Sequence, residues 1–187
     1  MATYKGIHDA LVALEDFFKN RLPSELSGGG INAQVSLMGS ADIAKPISGN
    51  VLGIYLHRIT IDQHGRNRFF PPSGTDLKPP TPELPVNLHL LLIASAGSAT
   101  IEADLIAWAM VELANHTQLD IGWGEGERIN IVPEEMETEE LMRLFDLFDK
   151  HYTSTMAYVA RSVRLRLNQS RTEGPAVVTR VLPGGIG

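Results

Sequence analysis

Two histidines, His57 and His89, sit inside the two most apolar segments of the chain, 51–61 and 86–95. If those segments pair as neighbouring strands, the imidazoles could approach each other. A metal centre needs three or four converging ligands. Neither apolar segment contains a carboxylate, and the chain has no cysteine. Each histidine therefore reads as a hydrogen-bonded core or edge residue, and the alternative is a small-molecule enzyme using His57 and His89. A serine nucleophile needs an exposed turn, a base and an oxyanion hole. No Gly-x-Ser-x-Gly occurs, and Ser95-Ala96-Gly97-Ser98 reads as a strand end and turn. The acidic run Glu134-Glu135-Met136-Glu137 with Glu139-Glu140 could imitate a carboxylate site, but such runs are usually the solvated start of a helix.

Glycine-rich segments also lack the context for phosphate binding. Gly28-Gly29-Gly30 follows a helical pattern and precedes no Lys-Ser/Thr pair; Gly122-x-Gly-x-Gly126 has neither a strand before it nor a helix after it. Net charge is −6 with six histidines counted neutral, which argues against a broad nucleic-acid surface. The longest apolar run, Leu88–Ala94, is strand length and far below the roughly 20 residues of a membrane span. No cofactor, metal, nucleic-acid partner or membrane insertion is expected. The opening residues Met1–Lys5 lack the basic-then-apolar order of a signal peptide, so synthesis and assembly in the cytoplasm are expected. With no active site in view, an assembly or binding protein is favoured over an enzyme.

The elements that would position these residues follow from periodicity. Ile7, Ala10, Leu11, Leu14, Phe17 and Phe18 recur every three or four residues and predict a helix over roughly 3–21. Residues 33–38 read as a short strand and 39–50 as loop. In 51–61, Tyr55, Ile59 and Ile61 fall on one face of a regular strand, and Leu52, Ile54 and Leu56 on the other. Both faces are apolar, as in a strand covered on two sides. Segment 86–95 has the same character. Helices are predicted over 101–116 and from an N-cap at Thr138, and strands over 128–132 and 156–167. This order predicts an α/β (α+β) fold, a mixed central sheet packed by two or three helices. Residues 1–167 are expected to form one domain, and 168–187 a C-terminal extension or β-arm.

Between the two apolar strands lies segment 62–85, which carries six prolines and begins Asp62-Gln63-His64-Gly65-Arg66-Asn67-Arg68-Phe69-Phe70. Proline deletes a ladder hydrogen bond, so these prolines are expected outside the sheet interior. A loop of this length in a compact domain usually has a function or is disordered. Arg66, Asn67, Arg68, Phe69 and Phe70 are accordingly candidates for a protein interface, with the aromatic rings as apolar anchors. A second candidate surface is the basic C-terminus, with Arg161, Arg164, Arg166, Arg171 and Arg180. Those arginines either protect a strand edge or belong to an arm that adds a strand to a partner's sheet.

The order of segments resembles a known family. Val51–Thr60 followed by Gly65-Arg66-Asn67 is similar to the strand and Arg-Asn segment of the DUF4255 family. Leu84–Leu92 resembles its "Leu-His-Tyr-Leu-Leu" strand, with Leu90 where tyrosine is usual. Residues 102–119 resemble its next helix. Ile129–Val132, Glu139-Glu140-Leu141 and Thr153–Val163 with Tyr158 resemble its closing strand, helix and strand. That family includes the N-terminal domain of the tail-terminator, or cap, proteins of contractile injection systems. The resemblance implies a tail-terminator-like fold and a structural cap that stops elongation, not an enzyme. It also implies that the partners are further copies of the chain in a hexameric ring, the inner tube protein and the sheath protein. A joining protein between the head and tail of a contractile phage is the neighbouring alternative.

Overall fold

A computed structural model describes residues 4–63, 83–120, 128–146 and 153–166. The chain opens with helix α1 (Gly6–Lys19) and one-turn helix α2 (Ser24–Ser27). Strand β1 (Gln34–Met38) and a second single turn, α3 (Ser40–Ile43), follow. Next come β2 (Val51–Ile61) and β3 (Glu83–Ser95), then helix α4 (Ala99–Asn115). Strands β4 (Gln118–Asp120) and β5 (Arg128–Pro133), helix α5 (Thr138–Phe145) and strand β6 (Ser154–Arg166) complete the order. The six strands form one sheet in the order β1-β2-β3-β6-β5-β4. Only β1–β2 is parallel, so the sheet is mixed, as the sequence predicts.

β3 and β6 occupy the centre, which explains the composition of β3. Leu88, Leu90 and Leu92 face a core built by Ala10, Leu14, Phe17 and Phe18 of α1 and Ala109 and Leu113 of α4. Leu91 and Ile93 face the opposite side and meet Ile43 of α3 and Phe145 of α5. A strand clad on both faces must be apolar in both registers. Ile43 also shows why 39–50 is more than loop: α3 supplies one buried side chain to the second layer. A third small cluster joins Leu26 of α2 to Ala94 and Leu105. No helix of the described residues is long and apolar enough to cross a membrane.

Two bulges redirect side chains. In β2 the register slips between Leu56, opposite Leu90, and Arg58, opposite His89, so His57 is the extra residue. Regular alternation would place Ile59 and Ile61 with Tyr55. The bulge instead puts them opposite Leu88 and Val86, on the α1/α4 face with Leu52, Ile54 and Leu56. In β6 the register slips between Ala160 and Val163, and Ser162 adopts φ +59°. Asn87 stabilises that bulge by accepting the Ser162 N–H at 3.0 Å. The slip keeps Tyr158 and Ala160 on the same face as Val163 and Leu165.

Other boundaries depart from expectation. β3 starts at Glu83, so Pro85 lies within a strand. Its carbonyl accepts the Asp62 N–H at 3.0 Å, at the last rung of the β2–β3 ladder. Its missing donor is thus directed to β2, where pairing ends, and the β6 side of β3 loses nothing. Thr138 is the first residue of α5 rather than its cap, which is Glu137. α4 stops at Asn115, and strand β4, Gln118–Asp120, begins within the stretch resembling the family helix.

Candidate functional site

The pairing of β2 with β3 brings the two histidine rings to a centroid separation of 6.1 Å in an edge-to-face arrangement. His89 is buried, at 7% exposure. Its Nδ1 lies 2.8 Å from both carboxylate oxygens of Glu134, and its Nε2 lies 2.9 Å from the Thr60 hydroxyl. The Arg58 guanidinium lies 3.3 Å from Glu134 and donates to Glu140 at 3.0 Å. It also stands 3.3 Å from Nδ1 of His89. His57, the bulged residue, has a buried Nε2 with no hydrogen-bond partner among the described residues. Burial, followed by the charges of Arg58 and His89, lowers its pKa below the ordinary histidine value.

Glu134 is the residue that sequence reading missed. It belongs to an acidic run that reads as a solvated helix start. The Glu134 N–H bonds to the Ala157 carbonyl at 2.9 Å, prolonging the β5–β6 ladder by one rung. Its side chain then reaches across to β3. A signal was present in its place directly after Pro133, where β5 ends. Arg58 and Thr60 are placed by the β2 bulge, which no residue type announces.

Thr60, His89 and Glu134 have the connectivity of hydroxyl, base and orienting carboxylate. Thr60, however, lies on an extended strand rather than a sharp exposed turn, and Arg58 shares the carboxylate. Among the described residues, no three His, Asp or Glu side chains converge as a metal site. The arrangement does mechanical work: it fastens the β5–α5 connection to β2 and β3 through charge-assisted hydrogen bonds.

Beside this fastening lies an open region. β1 pairs with β2 only from Val51 to Tyr55, and β5 pairs with β6 only from Tyr158 to Arg161. Beyond those points the outer edges of β2 and β6 have no partner strand among the described residues. Ile59 and Ile61 are 48% and 51% exposed there. Arg164, one of the candidate interface arginines, lies on the β6 edge, 3.6 Å from Glu83 of its own chain. Arg166 is the last residue of β6, opposite Glu83. Arg66, Asn67, Arg68, Phe69, Phe70, Arg171 and Arg180 lie outside the described residues. The structure therefore brings the two basic and loop surfaces to one end of the sheet only as far as their points of departure, Gln63 and Arg166.

A separate cleft of about 580 Å³ lies between the end of α1 and β4–β5. Phe17, Arg21, His116 and Arg128 line it, with Arg21 stacked 4.3 Å above the Phe17 ring. Arg21 and His116 both reach Glu112, so the Arg21 charge is already paired.

Residues 11–179 match the model of the Pvc16 N-terminal domain family. The chain belongs to that family. The Pvc16 N-terminal domain fold is also shared with solved assembly components. One is the sheath/tube terminator, in the extended state, of an extracellular contractile injection system called PVC. Its TM-score is 0.64 at 17% identity, over 99% of this chain and 66% of that one. Another is the anti-feeding prophage tube-terminating cap, with a TM-score of 0.53 at 15% identity, over 72% of this chain and 49% of that one. The chain thus spans about two-thirds of the length of the first of those proteins and about half of the second. No curated protein matches it.

Proposed function

We propose that this chain acts as the terminating cap of a phage-tail-like contractile injection system. A ring of copies, expected to be hexameric, closes the end of tube and sheath and stops elongation. The observation that carries this reading is the family match across residues 11–179. The fold shared with a sheath/tube terminator and a tube-terminating cap supports it. A structural role also accords with the His89–Glu134–Arg58 cluster, whose groups are occupied with one another. Assembly of the particle in the cytoplasm is part of the same proposal.

A cap must meet copies of itself, the tube and the sheath. Segment 62–85, with Arg66, Asn67, Arg68, Phe69 and Phe70, is proposed as one docking surface, its prolines lowering the entropy cost of binding. The C-terminal arm 168–187, with Arg171 and Arg180, and the strand arginines Arg164 and Arg166 form the other. Electron microscopy of particles made without this protein tests the function directly. Tubes of irregular length are expected, and uniform particles of normal length would overturn it. The two surfaces are tested separately, by deleting 168–187 and by Arg66→Ala with Phe69→Ala. Uniform normal particles from both variants would sink the assigned surfaces while leaving the cap role standing.

A further inference from the structure

We infer that the outer face of α4 seats the chain's own C-terminal arm, with the apolar run Ala176–Leu182 lying along it. The inference goes beyond the cap reading and holds with or without it.

α4 is apolar on both sides, and α1 is not. α1 turns His8, Asp16 and Lys19 to water. α4 buries Leu105, Ala109 and Leu113, yet the residues it exposes include Ala103, Ala107, Met110, Val111 and Ala114. These five recur at i, i+4, i+7, i+8 and i+11, which makes one continuous stripe opposite the core. Met110 and Val111 in it are 39% and 56% exposed. Two of the three acids of α4 are turned to the chain itself. Glu102 accepts the Ser154 N–H at 2.9 Å, and Glu112 pairs with Arg21 at 3.7 Å. The third, Asp104, stands exposed at the margin of the stripe and is in no ion pair among the described residues. A helix that is apolar all round is normally covered all round, and a continuous exposed apolar patch marks a docking site.

Reach, sequence and charge select the occupant. Gln118, three residues past the end of α4, stands level with Arg161 through Asn130. Arg166 lies five residues further along β6, so the end of α4 is roughly 25 Å from it. The ten residues from Arg166 to Ala176 span up to about 33 Å. Segment 64–82 is held at both ends, by Gln63 and Glu83 opposite Arg166, so its midpoint also reaches only about 33 Å. That falls short of Ala103, which lies roughly 17 Å beyond the end of the stripe at Ala114. The arm leaves from Arg166 alone and can run the whole stripe. Pro175 and Pro183 bracket Ala176–Leu182, and each favours extended chain at the residue before it. Extended, the run measures about 20 Å, a match to the stripe. Entering at Ala114, it carries Arg180 about nine helix residues along, level with Asp104 and Leu105. The one charge of the run thus meets the one unpaired charge of the helix. The family match supports the same placement, since it continues thirteen residues past Arg166, to residue 179. The arm as far as Thr179 therefore belongs to the matched domain.

Trypsin reads the docking at Arg180. Cleavage after Arg180 in the folded chain is expected to be at least about tenfold slower than in a free peptide of residues 174–184. Val111→Lys, at a half-exposed position, is expected to keep a cooperative melt and to bring cleavage towards the peptide rate. Equal rates in the folded chain and the peptide, or an Arg180 still protected in folded Val111→Lys, would overturn the inference. The absence of cysteine allows a second test that does not depend on that substitution. With Val111→Cys and Val178→Cys in one chain, a short bifunctional maleimide is expected to link the two thiols within the chain at low protein concentration. Links between chains, in the double variant or in a mixture of the two single variants, would put the arm on a neighbouring copy. No link at all would put it on another surface, and either result overturns the inference. Neither test reads particle length, so the inference and the cap reading fail separately.

Discussion

At one end of the sheet, where β2 begins, β3 ends and β6 begins, nearly every connection is fastened. Asn50 accepts the Gly97 N–H at 3.0 Å through its side chain and the Gln34 N–H at 2.9 Å through its carbonyl. Glu102 of α4 accepts the Ser154 N–H at 2.9 Å. Glu15 of α1 accepts the Leu37 N–H at 3.1 Å. At the other end, β2, β3 and β6 run on beyond β1 and β5, and Ile59 and Ile61 are half exposed. There the Ser162 hydroxyl donates to Asp62 at 3.0 Å across β3, and on the α5 face Arg58 and Thr60 hold the fastening to Glu134 and His89. The fastened end holds the chain's own elements; at the other end β2 and β6 have no outer partner strand among the described residues, and Ile59 and Ile61 keep apolar area exposed. Under the proposed cap role, such an asymmetry would separate the part that must fold alone from a part open to a partner.

The comparison breaks first at Phe18. Its ring is fully buried, 5.5 Å from Trp108 of α4 in an edge-to-face contact, and holds α1 to α4 over the sheet. Phe18→Ala removes that area and leaves a cavity, so a loss of about 3–5 kcal/mol is expected in a urea melt. A loss below about 1 kcal/mol would show that the α1/α4 layer is not what holds the fold together.

Glu134→Gln tests the fastening between the two regions. The variant keeps the shape but loses the charge facing Arg58 and His89. Because Glu134 is partly exposed and Arg58 retains Glu140, a loss of about 1–2 kcal/mol is expected by chemical denaturation. An unchanged midpoint would mean that the β5–α5 connection is held by apolar contacts alone.

Much of the fastened region was legible in the sequence, and the open region was not. The two-sided apolar character of 86–95 and the helical spacing from Ile7 to Phe18 gave the central strand and its covering helix, since burial imposes those patterns directly. The bulges left no such trace. His57 and Ser162 are ordinary residue types, and regular alternation placed Ile59 and Ile61 on the wrong face. A one-residue slip exchanges the faces of everything downstream, so a local irregularity becomes a large error in exposure. Glu134 was hidden for another reason: its partners lie 45 and 76 residues away. Composition near Glu134 describes a charged run, and only the tertiary pairing shows that one member turns inward.

His57 offers a gentler probe of the bulge. Its folded-state pKa is lowered, chiefly by burial, so below the ordinary histidine value of 6.5 the unfolded chain binds a proton that the folded chain resists. Stability must therefore rise with pH through this range and be lost on acidification. His57→Gln is expected to flatten part of that slope below pH 6.5, leaving the neutral-pH midpoint little changed. An identical slope in both proteins would show that the bulged imidazole is free to charge in the folded state.

A small expected effect on folding supplies the sharpest test of the comparison. Ile61 borders the same apolar face as Phe18, yet half of its surface is exposed. Transfer to water costs a side chain only for the area it had buried. Ile61→Ser should accordingly lower stability by about 0.5–1 kcal/mol, several-fold less than Phe18→Ala. If Ile61 belongs to a surface completed by a partner, the same substitution should weaken association well beyond its effect on folding, because the remaining half of its area is buried only there. Thermal melts and particle-length distributions on one variant separate the two contributions. A large folding defect with normal particles would make the open end part of the chain's own core, and the distinction between the two ends would fail at the residue where it is drawn most sharply.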